Sequence, residues 1–285
     1  MRILKYTTLA AVLLMGACQS GEKTPKTETS GPTAEFSLRA TSDIQTPAPI
    51  KAATFVPNSV ASWLGHIILL DNTGTLHRAT TGSAETDVVA LGKYTDVIGL
   101  AREKKSGVFL ALTPQGQIKA FVQSDDEGNY SPLAVSQGDV NIERFCHSAQ
   151  PSEGSIWGET KTGKAVNLTT EIFEDASLTL TQAETEIDKS NPCEAKEVLK
   201  LSPNYTLKPD SDSSRLTLSA EGEDISVEIT NGLSIGGINQ AGFVTVTSTN
   251  MGSVFNEGVL LVADEDEGRL VLISRGYALK ELGAR

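Results

Sequence analysis

The stretch that decides the fold reads Ile67-Ile68-Leu69-Leu70-Asp71-Asn72-Thr73-Gly74-Thr75-Leu76. An apolar run is followed by a polar turn that ends in glycine, and the apolar pattern then resumes. A glycine at the end of such a turn supplies the positive φ that lets two strands return antiparallel to each other. The stretch therefore predicts a tight β-hairpin.

The same pattern recurs along the chain. It returns in residues 109–118, 156–166, 216–227 and 260–270, so that the turn glycines are Gly74, Gly116, Gly163, Gly222 and Gly268. Successive glycines are 42, 47, 59 and 46 residues apart. A unit of roughly 40–50 residues with a central hairpin is typical of a four-stranded propeller blade. We therefore predict an all-β fold, a β-propeller of five or six blades, because the longest gap has room for an irregular blade. An irregular β-sandwich with evenly spaced hairpins is the alternative.

The N-terminus has the parts of a secretory signal. Arg2 and Lys5 form a basic start, and the apolar run from Leu9 to Met15 is too short to span a bilayer core of ~30 Å. The next residues complete Met15-Gly16-Ala17-Cys18, which resembles the lipobox of bacterial lipoproteins. The resemblance implies cleavage after residue 17 and acylation of Cys18, with several acyl chains for stable anchoring.

Gln19 follows the cysteine at the place where an inner-membrane retention signal usually has Asp. We therefore expect a lipid-anchored protein of the outer membrane, facing either the periplasm or the cell surface. An ordinary cleaved signal followed by a chance cysteine is the alternative.

Composition divides the remaining chain into a tether and a domain. Half of residues 19–50 are Ser, Thr, Pro or Gly, which buries too little apolar surface to form a core. We predict a signal peptide at 1–17, the lipidated cysteine and a disordered linker at 18–50, and the propeller-like domain at 51–285. The formal net charge of −12 argues against a nucleic-acid partner, because phosphate binding needs clustered Lys and Arg.

Cys146 and Cys193 are the other two cysteines of the chain. In a secreted protein they would meet an oxidising compartment, and two is the number that makes one disulfide. The alternative is a nucleophilic Cys146 beside His147. Neighbouring residues in a strand point to opposite faces, so this base would not face the thiol.

Short segments resemble the β-propeller phytases, a six-bladed, calcium-dependent family that removes phosphate from inositol phosphates. Glu143-Arg144-Phe145-Cys146 is similar to the family's Glu-Gly-Leu-Cys stretch at its first and last positions. Lys161-Thr162-Gly163-Lys164 falls where the family has a Lys-containing turn, and residues 262–268 are similar to its Ala-Glu-Glu-Asp-x-Gly blade. The resemblance implies calcium as a cofactor, Glu143, Asp264, Glu265 and Asp266 as metal ligands, and Lys161 as a phosphate contact.

The departures from that family bear on function. Residues 52–57 read Ala-Ala-Thr-Phe-Val-Pro where the family has Asp-Pro-Ala-x-Trp, and the domain is shorter. The acidic run from Asp264 to Glu267 can equally be a solvated hairpin tip, and it lacks the ligand spacing of an EF-hand loop. The three histidines, His66, His77 and His147, have no metal-binding spacing.

No catalytic residue stands out in this sequence. The leading hypothesis is a lipid-anchored envelope protein whose propeller acts as a non-catalytic binding or scaffold domain, with an envelope protein or a glycan as partner. The alternative is a divergent calcium-dependent phosphatase of the phytase type, acting on phosphate esters.

Overall fold

Strands joined by tight turns make up most of the chain that the structure describes. The computed structural model describes residues 36–58, 60–90, 92–100, 107–125, 128–147, 154–172, 177–183, 193, 199–202, 204–210, 213–220 and 222–283. They all belong to one compact unit, Thr33–Arg285. Across these ranges, no helix has the length and apolar character needed to cross a membrane. The predicted signal peptide and Cys18 lie outside the described residues.

The strands follow one another in groups. Two short strands come first, β1 (Phe36–Arg39) and β2 (Ser42–Gln45). The first group is β3 (Ile50–Val56), β4 (His66–Asp71), β5 (Leu76–Ala79) and β6 (Asp87–Ala90). The second group is β7 (Asp96–Gly99), β8 (Val108–Leu112), β9 (Ile118–Gln123) and β10 (Tyr130–Ser136). The third group is β11 (Arg144–Phe145), β12 (Ser155–Glu159), β13 (Ala165–Ile172) and β14 (Ser177–Ala183).

Two further groups and a helix complete the domain. The fourth group is β15 (Leu199–Ser202), β16 (Tyr205–Pro209), β17 (Arg215–Ala220) and β18 (Glu223–Thr230). The fifth group is β19 (Ala241–Thr247), β20 (Val259–Asp264) and β21 (Arg269–Ser274). A short helix, α1 (Arg275–Glu281), follows the last strand.

Within each group consecutive strands pair antiparallel, and β10 also pairs parallel with β14, which joins the second and third groups along their outer strands. The first strands of the groups lie beside one another: β3 contacts β7 and β19, β7 contacts β11, and β15 contacts β19. We call these first strands the inner strands, because they surround a common axis. The described chain is therefore a β-propeller of five blades, which confirms the predicted fold class and selects five blades over six. The β-sandwich alternative is wrong, because the sheets radiate from an axis and do not form two stacked layers.

Residues near the N-terminus close the ring. β2 pairs antiparallel with β21 and supplies the fourth strand of the last blade, while β1 pairs parallel with β18. Leu38 and Ile44 of these strands are fully buried. The predicted linker boundary at residue 50 is therefore wrong, since residues 36–45 belong to the domain. The Ser- and Thr-rich composition concealed two strands that cover sheet edges, where unpaired N–H and C=O groups would otherwise be exposed.

The turns explain the irregular spacing of the glycine repeat. In four blades the amide at the end of the turn between the second and third strands donates to the carbonyl three residues earlier. The pairs are Gly74 with Asp71, Gly116 with Thr113, Gly163 with Thr160, and Ser213 with Asp210. Gly222 instead lies between β17 and β18, in the turn between the third and fourth strands. The gap of 59 residues therefore reflects a turn between a different pair of strands, and its described residues form no additional blade.

The core lies between adjacent blades. β4, β8 and β20 are buried along their whole length, because each of these second strands has a neighbouring blade on both faces. This explains why they read as continuous apolar runs and not as alternating ones. Full burial of one Leu or Ile side chain contributes roughly 1.5–3 kcal/mol. The core clusters combine buried side chains of neighbouring blades, as for Ile68 and Phe109, Leu110 and Ile156, Leu216 and Leu260, and Leu261 and Ile67.

Candidate functional site

A cavity of about 880 Å³ lies at the axis of the ring. The inner strands begin at this end of the domain, and the turns between second and third strands lie here too, so we call it the cavity end. Its walls come from several blades and include Ile50, Asp96, Arg144, His147, Phe243 and Glu265. A concave, mostly apolar site with a few polar groups is the usual form of a ligand pocket, and its volume is within the common range of ~300–1,000 Å³.

Asp96 is a buried carboxylate that joins the second blade to the third. Its Oδ1 accepts hydrogen bonds from Nε2 of His147 at 2.7 Å and from the amide of Val97 at 2.8 Å. Its Oδ2 accepts one from the amide of Phe145 at 2.7 Å. Because every bond is made within the chain, the carboxylate is fixed before any ligand arrives. We refer to Asp96 and His147 as the cavity pair.

The environment of His147 favours its protonated form. Burial by itself lowers the pKa of the imidazole, and the charge of Arg144 acts in the same direction. The negative charge of Asp96 and the hydrogen bond to it outweigh both, so the pKa of His147 is raised above its ordinary value. Since Nε2 is held by Asp96, Nδ1 is the ring atom left to exchange a proton or a hydrogen bond with a ligand.

Arg144 is held by two partners, one on the neighbouring strand and one in a distant segment of the chain. Its Nε forms an ion pair with Glu159 on the neighbouring strand, and its Nη2 donates to the carbonyl oxygen of Cys193. The sulfur of Cys193 is bonded to that of Cys146, in agreement with the pairing expected from the sequence. Cys146 lies between two cavity residues, Phe145 and His147. The disulfide therefore ties this wall to a segment 47 residues further along the chain.

The fifth blade supplies the opposite wall. Glu265 is exposed at the turn after β20, and its side chain packs against Gly242 at the start of β19. Its Oε2 accepts a hydrogen bond of 3.4 Å from the side chain of Gln240. Phe243 adds an aromatic ring that is partly buried. This wall combines a carboxylate with an apolar surface, whereas the Arg144 side carries cationic groups.

Asp264, which the sequence suggested as a metal ligand, already has a cationic partner within the chain, the side chain of Arg269. Its side chain is fully buried and lies 3.1 Å from Nη2 of Arg269. Arg269 also contacts Asp43 at 3.4 Å and Glu267 at 2.6 Å. We call these four residues the closure cluster, because Asp43 belongs to β2 and the others to the last blade or its turn. Glu265 and Asp266 of the same acidic run are exposed.

The other two predicted site residues, Glu143 and Lys161, lie on the third blade and not on the fifth blade with the acidic run. Glu143 is exposed beside β11, and Lys161 is exposed in the turn between β12 and β13 of the third blade. Within the part of the chain that the structure describes, no three His, Cys, Asp or Glu side chains gather in a way that could hold a metal ion. The structure thus does not bring the proposed calcium ligands together. The structure also contradicts the alternative of a nucleophilic Cys146, since that sulfur is bonded to the sulfur of Cys193.

Sequence reasoning missed the cavity pair and Arg144. Asp96 opens an ordinary strand and belongs to no motif, and its partner His147 is 51 residues away. In the sequence, His147 suggests a base for its neighbour Cys146 or an isolated metal ligand, and neither hypothesis points to Asp96. A usable signal was the strand alternation itself, which turns Cys146 and His147 to opposite sides and leaves the histidine free for another partner.

Comparisons with known proteins concern the fold alone. No protein-family model and no curated protein matches this chain. Among solved structures, the PQQ-bound aldose sugar dehydrogenase of Streptomyces coelicolor is 10% identical, with 86% of this chain and 99% of that chain covered and a TM-score of 0.43. Sqt1 of Saccharomyces cerevisiae is 12% identical, with coverage of 84% and 66% and a TM-score of 0.38. YCF48 of Cyanidioschyzon merolae is 11% identical, with coverage of 81% and 68% and a TM-score of 0.33.

Proposed function

We propose that this chain is a lipid-anchored protein of the bacterial cell envelope whose five-bladed propeller binds a partner at the cavity end without catalysing a reaction. The observation that carries the binding role is the axial cavity, whose polar side chains are held in place by bonds within the chain. Asp96, His147 and Arg144 keep their positions through such contacts. Groups fixed in advance reduce the entropy that binding must overcome.

The partner that fits this site presents a narrow polar segment, either a peptide loop of an envelope protein or a glycan chain. The cavity offers hydrogen-bonding groups on the side of His147 and Arg144 and an apolar surface at Phe243. The lipid anchor at Cys18, expected at the outer membrane, is supported by the lipobox resemblance and by the position of the domain well downstream of it.

Site-specific photocrosslinking in intact cells tests the binding role. A photoreactive residue in place of Asp266, at the cavity rim, should capture an envelope protein or glycan. The matched control carries the same residue in place of Lys119, which is exposed on β9 and does not line the cavity. Capture at both positions, or at neither after repeated trials, would overturn the cavity as the binding site. Recovery of the partner with altered covalent structure would overturn the non-catalytic role.

Acylation is tested separately by growing cells with an alkyne-bearing fatty acid. Label should appear on the wild-type chain and disappear in Cys18→Ser, which also should leave the outer-membrane fraction. A wild-type chain without label would refute the lipid anchor and leave the cavity proposal standing.

A further inference from the structure

The end of the domain opposite the cavity carries exposed apolar side chains. Val60, Trp63 and Leu64 lie in the connection between β3 and β4, and they are 83%, 57% and 56% exposed. Val254, 53% exposed, lies in the connection between β19 and β20. The two connections touch, since a Cβ added to Gly252 would lie 3.3 Å from Cβ of Trp63. We call these four side chains the apolar patch.

The topology places the patch away from the cavity. β3 begins at Ile50, which lines the cavity, and ends at Val56 just before the connection that holds Trp63. β19 likewise lines the cavity with Phe243 and ends at Thr247 before the connection that holds Val254. Seven residues of strand extend ~23 Å, so the patch and the cavity face opposite directions.

The patch is uncharged although the chain is strongly acidic. Residues 57–65 contain no charged residue, and residues 248–258 contain only Glu257. The carboxylate of Glu257 is turned toward Gly276 at the start of α1. The formal net charge of the whole chain is −12. An uncharged apolar group on an acidic protein avoids the repulsion that a bilayer with anionic lipids would otherwise exert.

The segment that precedes the domain indicates what the apolar patch contacts. Residues 1–18 read as a signal ending in a lipidation site, which would place the N-terminus in a membrane. The segment from Cys18 to Glu35 can span at most ~60 Å when fully extended, so the domain would stay within about one diameter of that membrane. Tethering raises the local concentration of the bilayer around the patch, which makes even a weak contact effective.

We propose that the apolar patch contacts the lipid bilayer, with Trp63 at the membrane interface and the cavity end directed away from it. Tryptophan is the side chain most typical of that interface, because its ring is apolar and its N–H still reaches polar groups. This inference rests on the proposed anchor for its setting. It goes beyond the anchor in assigning an orientation to the domain.

The test uses the two tryptophans of the chain as reporters. Mature lipoprotein is reconstituted into vesicles of phosphatidylethanolamine and phosphatidylglycerol that contain brominated acyl chains, which quench nearby indoles. In Trp157→Phe the remaining reporter is Trp63, and its emission should be quenched and shifted to shorter wavelength. In Trp63→Phe the remaining reporter is Trp157, which packs against the disulfide of the third blade, and its emission should not change when brominated lipid replaces ordinary lipid.

Two variants in the Trp157→Phe background locate the contact. Leu64→Asp should abolish the quenching of Trp63, because a carboxylate resists entry into the interface. Val88→Asp, at an equally exposed apolar residue on β6, should leave the quenching unchanged. Both residues are more than half exposed, so neither substitution disturbs the core.

The outcomes separate the patch from the anchor. Protein that floats with the vesicles while Trp63 stays unquenched overturns the bilayer contact and leaves the anchor intact. Protein that does not float refutes the anchor, and a lack of quenching at raised vesicle concentration then refutes the patch as well. A shift of Trp63 emission that depends on protein concentration in vesicle-free detergent would assign the patch to a second copy of the chain, against this proposal.

Discussion

Two buried carboxylates hold the ring together in different ways. Asp264 of the closure cluster faces Arg269, whose guanidinium also reaches Asp43 on β2 and the carbonyl oxygens of Gly236 and Gly237. Asp96 of the cavity pair faces His147 and two backbone amides. One carboxylate is neutralised by a permanent cation and the other faces an imidazole, whose charge depends on pH.

The difference indicates that the closure cluster serves the stability of the fold and that the cavity pair serves the candidate site. The closure cluster fastens β2 to the other strands of the last blade, at a place where the cation is almost fully buried. The cavity pair borders an open cavity, beside a disulfide and a second cation, Arg144. Changes in pH or redox state should therefore act on the cavity wall and leave the ring closure unaffected.

The largest expected effect is at the closure cluster. Arg269→Met should lower the free energy of unfolding by about 3–5 kcal/mol, because it leaves the buried carboxylate of Asp264 without its cation. Urea unfolding of the mature chain measures this. The matched control is Lys208→Met, which removes an exposed pair with Asp224 at 3.9 Å and should cost less than ~1 kcal/mol. Equal losses in the two variants would contradict the role of the cluster.

The disulfide should come next. The double variant Cys146→Ala, Cys193→Ala should lose ~2–4 kcal/mol in oxidising buffer, since a loop of 47 residues is no longer closed in the unfolded chain. Adding reductant to the wild type should reproduce the loss, whereas the double variant should not respond to reductant. A wild type that is indifferent to reductant would show that the bond contributes little.

A smaller and pH-dependent effect is expected at His147. Its pKa is raised in the folded state, so its contribution to stability is present below the ordinary pKa of ~6.5 and is lost as pH rises through the folded-state pKa. His147→Gln keeps a donor for Asp96 but no charge. The stability difference between the wild type and this variant should be greater near pH 5.5 than near pH 9, as measured by urea unfolding at the two pH values.

His66 provides the control of opposite sign. Burial and the nearby charge of Arg78 lower the pKa of His66, so the wild type loses stability from this residue as pH falls below ~6.5. His66→Gln should remove that acid sensitivity. The two variants should therefore change the slope of the unfolding free energy against pH in opposite directions relative to the wild type. Changes of the same sign would refute the opposite pKa shifts assigned to His147 and His66.

Calcium should have the smallest effect. Thermal melts of the mature chain in millimolar calcium and in chelator should coincide, because Asp264 is already paired with Arg269 and is not available as a ligand. Binding to the folded state would raise stability by RT ln(1 + [L]/Kd), so even a weak site would be detected. A rise of several degrees that disappears in Asp266→Asn would revive the phytase-like alternative and justify an assay with inositol hexakisphosphate.

The sequence by itself determined the repeating hairpin and the class of fold. Apolar runs such as Ile67 to Leu70, followed by turns ending in Gly74 or Gly116, are local signals that depend on backbone geometry within a few residues. They predicted a propeller, while the disulfide was predicted separately, from the presence of two further cysteines in a secreted chain. Gly222 misled because a glycine also occurs between the third and fourth strands of its blade.

Tertiary structure alone decided how the ring closes and what surrounds its axis. Asp43 meets Arg269 across 226 positions, and Asp96 meets His147 across 51. Such contacts leave no local pattern, because closure depends on where the blades return in space and not on neighbouring residues. The acidic run at Asp264 looks the same in sequence whether its carboxylate holds a metal ion or an arginine, and only burial next to Arg269 distinguishes the two.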